Sequence, residues 1–118
     1  MNTYKIVLVK KDFIDFTKEY PHSLKMILLD EKSMYDSKQL QLFFETSDKA
    51  FQFCQKQLFL REDYSFFHGI HQLKNILTDD VISFVFNQFD IEVTEKKDSF
   101  VIYNYLKEFS SNFFMFDV

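Results

Sequence analysis

The scarcity of glycine and proline is the feature that most constrains what this chain can fold into. Gly69 and Pro21 are the sole examples of their residue types among 118 residues. β-Sandwiches and barrels need tight turns at regular intervals, and such turns favour glycine and proline. The composition therefore predicts few turns and a fold dominated by long helices.

Hydrophobic periodicity nevertheless predicts strands within the first 45 residues. Residues 3–10 alternate around a β-branched run, and residues 39–45 alternate leucine and phenylalanine with glutamine, which is typical of half-buried strands. Segment 11–20 has aromatic residues at helical spacing and ends before the proline, which disfavours helical geometry in the residue preceding it. Segment 22–30 fits either a helix or a strand, and 31–38 is polar and predicts a loop.

The rest of the chain predicts helices. Segment 46–60 begins with candidate N-cap residues and carries an apolar stripe, and similar stripes predict helices at about 66–77 and 78–89. Segment 90–110 fits either a strand followed by a helix or a hairpin turning at Lys97–Asp98, and the longer helical pattern favours the first. We therefore expect an α+β fold, with a small N-terminal sheet of two or three strands followed by three or four packed helices.

Length and aromatic content set the expectations for the core. A chain of 118 residues suits a single domain, 1–118. Seventeen Phe and six Tyr stand against one alanine, Ala50, so the core is built from few, large side chains. Either all of these aromatic residues lie in the core, or some remain exposed as anchors for a partner.

The C-terminal segment 112–118, NFFMFDV, is unusually apolar for a chain end. One interpretation is that it packs into the core or pairs with the N-terminal strand. The other is that it is an interface, with Phe114 and Phe116 filling a groove on a partner.

The single cysteine, Cys54, excludes an internal disulfide and fits a reducing compartment. It lies on an apolar stripe, which is the usual environment of an unreactive thiol. The N-terminal segment lacks a signal-peptide pattern, and no run of residues is long and apolar enough to span a membrane. We expect a cytoplasmic protein without membrane association.

Charge is divided unevenly along the chain. Residues 1–61 contain ten basic and eight acidic residues, whereas residues 62–118 contain four basic and ten acidic ones. An acidic half disfavours direct nucleic-acid binding, because counterion release needs clustered cations. It suits docking on a basic protein surface instead. The acidic residues that we assign to such a surface are Asp79, Asp80, Asp90, Glu92 and Glu95.

Missing motifs exclude several classes of enzyme. The sequence contains no P-loop, GxGxxG, GxSxG, HExxH or CxxC pattern. A phosphate-binding loop needs several glycines so that the backbone can approach the ligand, and a structural zinc site normally uses more than one cysteine. We therefore expect no cofactor.

His68 and His71 are the candidate metal ligands. On a helix, residues three apart share one face, so the two imidazoles could bind one ion with Asp63 or His22 as a further ligand. No second dense cluster of ligand residues accompanies them. We predict no metal site and interpret both as ordinary helix histidines.

Arg61 and His68 form a second candidate site. The stretch REDYSFFH separates them by six residues, a spacing that loosely resembles the R-x(4–6)-H motif of the HEPN ribonucleases. The resemblance implies a metal-independent ribonuclease, commonly acting across a dimer, in which Arg61 stabilises phosphate charge, His68 transfers a proton and His71 lies nearby. The match covers eight residues. It departs from the usual four intervening residues with a polar Asn, Asp or His first, since Glu62 follows Arg61 here.

These observations favour a non-enzymatic, protein-binding inhibitor or antidote that occludes a basic surface, including one that normally holds nucleic acid. Immunity proteins and phage anti-defence proteins such as anti-CRISPRs share this composition, although no motif of such a family is present. The ribonuclease is the alternative function. A homodimer held together by aromatic residues is a third interpretation.

Overall fold

The computed structural model describes residues 2–28, 37–75, 77–97 and 99–117, which form a six-stranded antiparallel sheet packed with five helices. The strands are β1 (Asn2–Leu8), β2 (Tyr64–Phe67), β3 (Ile70–Lys74), β4 (Val81–Phe86), β5 (Ile91–Glu95) and β6 (Phe113–Asp117). The helices are α1 (Ile14–Glu19), α2 (Pro21–Leu28), α3 (Ser37–Phe43), α4 (Asp48–Lys56) and α5 (Val101–Lys107). Short 3-10 turns lie at Lys11–Phe13 and Leu58–Leu60.

The predicted fold class is wrong, because the sheet dominates the molecule. Its strand order is β2-β3-β4-β5-β1-β6, so four consecutive strands lie side by side before the chain returns to the N-terminal one. The segments 66–77 and 78–89, predicted as helices, contribute to strands β2, β3 and β4. All residues of β4 except Ser83 are β-branched or phenylalanine, and this strand propensity outweighs the accidental helical spacing of its apolar residues.

The strand predicted at 39–45 is also wrong, because that segment lies largely in helix α3. Leu40 and Phe43 of α3 pack against a buried cluster that contains Phe44. Packing of its apolar face therefore favours a helix in this segment, as tertiary packing often does for short helices.

Other predicted elements are confirmed. Strand β1, helices α1 and α4, and the sequence of β5 followed by α5 all occur where the periodicity indicated them. The ambiguous segment 22–30 contains helix α2, which begins at Pro21, a position where the missing N–H costs nothing. The loop predicted at 31–38 lies mostly outside the described residues.

The C-terminal segment pairs with the N-terminal strand, which was one of the two interpretations. Strand β6 lies antiparallel to β1, with Leu8 opposite Phe113 and Ile6 opposite Met115. Residues 113–117 of this segment are therefore part of the sheet rather than a free tail.

Helices cover the two faces of the sheet unequally. One face, which includes Tyr4, Ile6, Phe84 and Val93, is buried under α4, α5 and the turn at Leu58–Leu60. The other face is covered by α1–α3 over β1 and β6, where a second buried cluster forms. The outward side chains of β2–β5 on this second face remain exposed or half-buried.

Candidate functional site

A pocket of about 200 Å³ opens at the end of the sheet where β2 and β4 begin and β3 and β5 end. Its rim comes from three neighbouring connections: Arg61 and Asp63 precede β2, Asp80 precedes β4, and Lys97 and Ser99 follow β5. The antiparallel order of the strands brings these distant segments together, because consecutive connections alternate between the two ends of a meander.

The floor of the pocket is a row of adjacent side chains on the helix-covered face. The register pairs Leu73 with Ile82 and Ile82 with Glu95, and all three residues line the pocket. Val101, at the start of α5, forms part of its wall. The result is an apolar pocket with one carboxylate in its floor.

Glu95 is 1% exposed. Its Oε1 accepts a hydrogen bond from the backbone N–H of Phe100 at 3.0 Å, which ties the carboxylate to the start of α5. Its Oε2 has no hydrogen-bond partner among the described residues. Burying a carboxylate is costly unless hydrogen bonds compensate it, and the Phe100 N–H supplies one such bond.

Tyr4 is the other buried polar group at this end. Neither its phenol Oη nor Glu95 Oε2 meets a partner at strict hydrogen-bonding geometry within the described residues. The two groups nevertheless interact, because burial, and secondarily the charge of Glu95 and hydrogen bonding to it, raises the pKa of the Tyr4 phenol. Tyr4 therefore stays neutral, with its hydroxyl beside the Glu95 carboxylate.

The charges around the rim are paired with each other. Arg61 donates to Asp63 through Nε at 2.9 Å and Nη2 at 2.6 Å, a bidentate contact. The Lys97 ammonium lies 3.1 Å from Asp80, and hydrogen bonding from Lys97, with a smaller contribution from Thr78, lowers the pKa of the Asp80 carboxyl.

The structure brings some of the predicted acidic residues together and separates others. Asp80 and Glu95 line the pocket, and the exposed Asp79 lies beside them in the β3–β4 loop. Asp90 is buried at the opposite end of the sheet, 3.5 Å from the Lys5 ammonium. Glu92 is half-buried on the other face.

Phe114 and Phe116, predicted as partner anchors, lie in β6. Phe116 is buried and Phe114 is half-buried, and both belong to the cluster under α1–α3. Neither of them contributes to the exposed aromatic surface of this structure.

The predicted ribonuclease residues are divided by strand β2. Arg61 precedes this strand and His68 follows it. A strand advances about 3.4 Å per residue, so the two side chains lie at opposite ends of the sheet. Asp63 also forms an ion pair with the Arg61 guanidinium, the group that would have to bind phosphate.

His71 is enclosed by aromatic residues and is 6% exposed. Its ring stacks on Phe59 at 5.0 Å and on Phe84 at 5.2 Å between centroids, and its Nδ1 lies 2.6 Å from the Tyr64 hydroxyl. Burial lowers the pKa of the imidazole. His71 therefore serves as a hydrogen-bonded core residue. No group of three potential metal-ligating side chains occurs among the described residues.

The β2–β3 hairpin is the site feature that the sequence analysis missed. Its two-residue turn consists of His68 (φ 51°) and Gly69 (φ 78°), and two consecutive positive φ angles are typical of a type I′ turn. Phe66 is 57% exposed and Phe67 is 74% exposed on this hairpin, and Ile70 is also exposed. The signal was the His68–Gly69 pair itself, because glycine and, less often, histidine adopt positive φ angles.

Strand β2 is also an edge of the sheet, paired with β3 on one side within the described residues. Phe66 and Phe67 point to opposite faces, since successive side chains alternate along a strand. The hairpin therefore presents aromatic surface on both faces beside a free backbone edge.

No protein-family model matches the chain, and no curated protein has a significantly similar sequence. Among the described residues, no helix combines the length and apolar character needed to cross a lipid bilayer.

Proposed function

We propose that this protein is a non-enzymatic binding protein, an inhibitor or antidote in the broad sense, that docks on a basic surface of another protein in the cytoplasm. The observation that carries the proposal is the exposed β2–β3 hairpin, on which Phe66, Phe67 and Ile70 remain accessible to solvent. The cytoplasmic location is proposed from the single cysteine.

An exposed aromatic edge strand has a cost that a binding role explains. Unpaired strand edges with apolar side chains promote aggregation, and natural proteins usually shield them. Aromatic residues are also the commonest energetic anchors of protein interfaces. Phe66 and Phe67 thus combine the position and the chemistry of anchors.

The net charge of the second half of the chain supports a basic partner. Residues 62–118, which contain β2–β5, carry ten acidic residues against four lysines. Glu62 and Asp79 are exposed at the end of the sheet that holds the pocket. Such an acidic surface accelerates and orients docking on a basic one, more strongly at low salt.

The ribonuclease is the second candidate and has weaker support. Arg61 and His68 stand at opposite ends of β2, so one chain cannot bring both to one phosphate. A second copy would have to supply the missing residue. RNA cleavage by the purified protein that disappears on His68→Ala substitution would favour the ribonuclease over the binding role.

The binding role is tested by paired surface variants. Affinity capture from the native host with the intact protein, followed by reconstitution with the purified partner, gives a dissociation constant for each variant. Phe66→Ser/Phe67→Ser should weaken binding at least about 30-fold, because burying the exposed parts of two phenylalanines contributes roughly 2 kcal/mol or more.

Met26→Ser/Leu42→Ser is the matched control. Met26 and Leu42 are each 60% exposed, and they lie on α2 and α3 away from the hairpin. This variant should retain the wild-type affinity. A partner that binds both double variants equally well would show that the hairpin is not the interface.

A further inference from the structure

We propose that the partner protein docks by adding an extended strand, with a basic residue near its C-terminal end, antiparallel to the free edge of β2. The inference rests on the proposed function, because it assigns the binding mode of that interface. It starts from the position of β2, which stands first in the order β2-β3-β4-β5-β1-β6 and pairs with β3 alone among the described residues.

The register shows which backbone groups of β2 face β3. Phe67 and Ile70 flank the two-residue turn, and the residues that flank such a turn form a hydrogen-bonded pair. Hydrogen-bonded and non-hydrogen-bonded pairs then alternate along the two strands. The Lys74 N–H donates to the Asp63 carbonyl at 2.9 Å, which agrees with this alternation. The odd-numbered residues of β2 therefore bond to β3, and the even-numbered ones face outwards.

The outward backbone groups of β2 suit an extended chain. The Tyr64 N–H is satisfied locally, because it donates to the Arg61 carbonyl at 3.2 Å. The Tyr64 carbonyl and both backbone groups of Phe66 remain on the side where no described strand lies. An extended backbone presents donors and acceptors at the spacing of this edge, whereas a helix bonds its own backbone groups internally.

The side chains beside the edge offer apolar contacts on both faces of the sheet. Phe66 contacts His71 on the helix-covered face at 4.5 Å between ring centroids, and Phe67 lies on the other face. Both phenyl rings are exposed. Side chains directly opposite each other on antiparallel strands contact one another, so apolar residues of an added strand would cover both rings.

Charge places a basic residue on the added strand. Glu62 is exposed just before β2 and forms no ion pair within the described residues, whereas the neighbouring Arg61 is held by Asp63. Every strand pairing in the described sheet is antiparallel, which favours this direction for a further strand. The residue opposite Glu62 then follows the one opposite Phe66, and a lysine or arginine there would pair with the carboxylate.

The test uses the intact protein and short peptides. The peptide acetyl-Ile-Val-Thr-Val-Thr-Lys-amide places its first valine opposite Phe66 and its lysine opposite Glu62. It should shift the backbone amide NMR signals of Ser65, Phe66 and Phe67 saturably, with a dissociation constant in roughly the millimolar range for a ligand of this size. Replacing the lysine by glutamate should weaken binding about threefold at low salt. No saturable shift, or equal binding of the two peptides, would overturn the proposal.

N-methylation of the peptide locates the hydrogen bonds. In the proposed register the N–H groups of its second and fourth residues face β2, and those of the third and fifth face solvent. Methylating the second and fourth should raise the dissociation constant at least about tenfold, because two backbone hydrogen bonds are lost. The matched peptide methylated at the third and fifth should change by less than about threefold. Equal weakening by both would refute strand addition. Concentration-dependent shifts of the same signals without peptide would assign the edge to a second copy and also overturn it.

Two variants at one position separate this proposal from the proposed function. Phe66→Pro removes the outward N–H but no bond to β3, whereas Phe66→Ala removes the phenyl ring alone. The proline variant should bind the purified partner at least about fivefold more weakly than the alanine variant. Equal affinities, both below the wild type, would keep the hairpin as the interface and reject strand addition. Full partner binding by Phe66→Ser/Phe67→Ser would reject the proposed function itself. If Phe66→Pro does not fold, the methylated peptides decide, because they use the wild-type protein.

Discussion

Protonation of His71 should make the protein less stable at mildly acidic pH. Burial among aromatic rings lowers the pKa of the folded-state imidazole below its ordinary value near 6.5. The unfolded chain therefore binds a proton first as the pH falls. Stability is fully present above the unfolded pKa, declines below it, and levels off once the pH has passed the folded pKa.

The loss of stability between pH 7 and pH 5.5 has an upper limit of about 1.3 kcal/mol, reached when the folded imidazole takes up no proton in that range, because each pH unit between the two pKa values costs about 1.4 kcal/mol. His71 is 6% exposed, and the rings of Phe59 and Phe84 stack on it without offering a charge. The polar group in contact with it is the Tyr64 hydroxyl, which can donate to Nδ1 while that nitrogen is unprotonated.

The assay is urea denaturation of the wild type and of His71→Phe at both pH values. The aromatic surroundings of residue 71 suit a phenyl ring, and the variant retains all other titratable groups, including His22 and His68. On acidification the wild type should lose more stability than the variant, by at most about 1.3 kcal/mol. An identical pH dependence of the two proteins, or a smaller loss in the wild type, would refute the reasoning.

Two further predictions concern the turn and the thiol. Gly69→Ala should destabilise the protein by about 1 kcal/mol in urea denaturation. The cause is backbone strain, because φ is +78° and no atom lies within 4 Å of the added Cβ. A neutral result would contradict the assigned turn. Cys54 should react with a disulfide reagent at pH 8 mainly after unfolding, because burial raises the pKa of its thiol to about 12. Rapid stoichiometric labelling of the native protein would contradict its burial.

The sequence was informative where one periodicity was clear. Strand β1 has alternating β-branched residues with no competing helical pattern, and α4 has a polar start followed by a continuous apolar stripe. In 66–89 the aromatic and β-branched residues fit both periods over short distances. The order of the strands could not be predicted, because it depends on pairing between β1, β5 and β6, which are distant in sequence.

The candidate site was only partly predictable. Asp80 and Glu95 were selected for their charge alone, and both line the pocket. The burial of Glu95 and its separation from Asp90 follow from strand register, since a shift of one residue would place Glu95 on the other face. The exposure of Phe66 and Phe67 required knowing that β2 is an edge strand.

The scarcity of glycine has a different consequence from the one expected. Besides Gly69, three non-glycine positions among the described residues, His68, Asp79 and Phe100, have positive φ angles. Such conformations cost about 1 kcal/mol or more each and tend to accumulate where function requires them.

Asp79 and Phe100 lie in the two loops beside the pocket. A glycine would relieve the strain at Phe100, but the phenyl ring packs against Tyr4 at 5.5 Å while the backbone N–H holds Glu95. Backbone strain at Phe100 thus coincides with the buried side chains of Tyr4 and Glu95 at one end of the sheet, and costs of this kind tend to accumulate at functional sites.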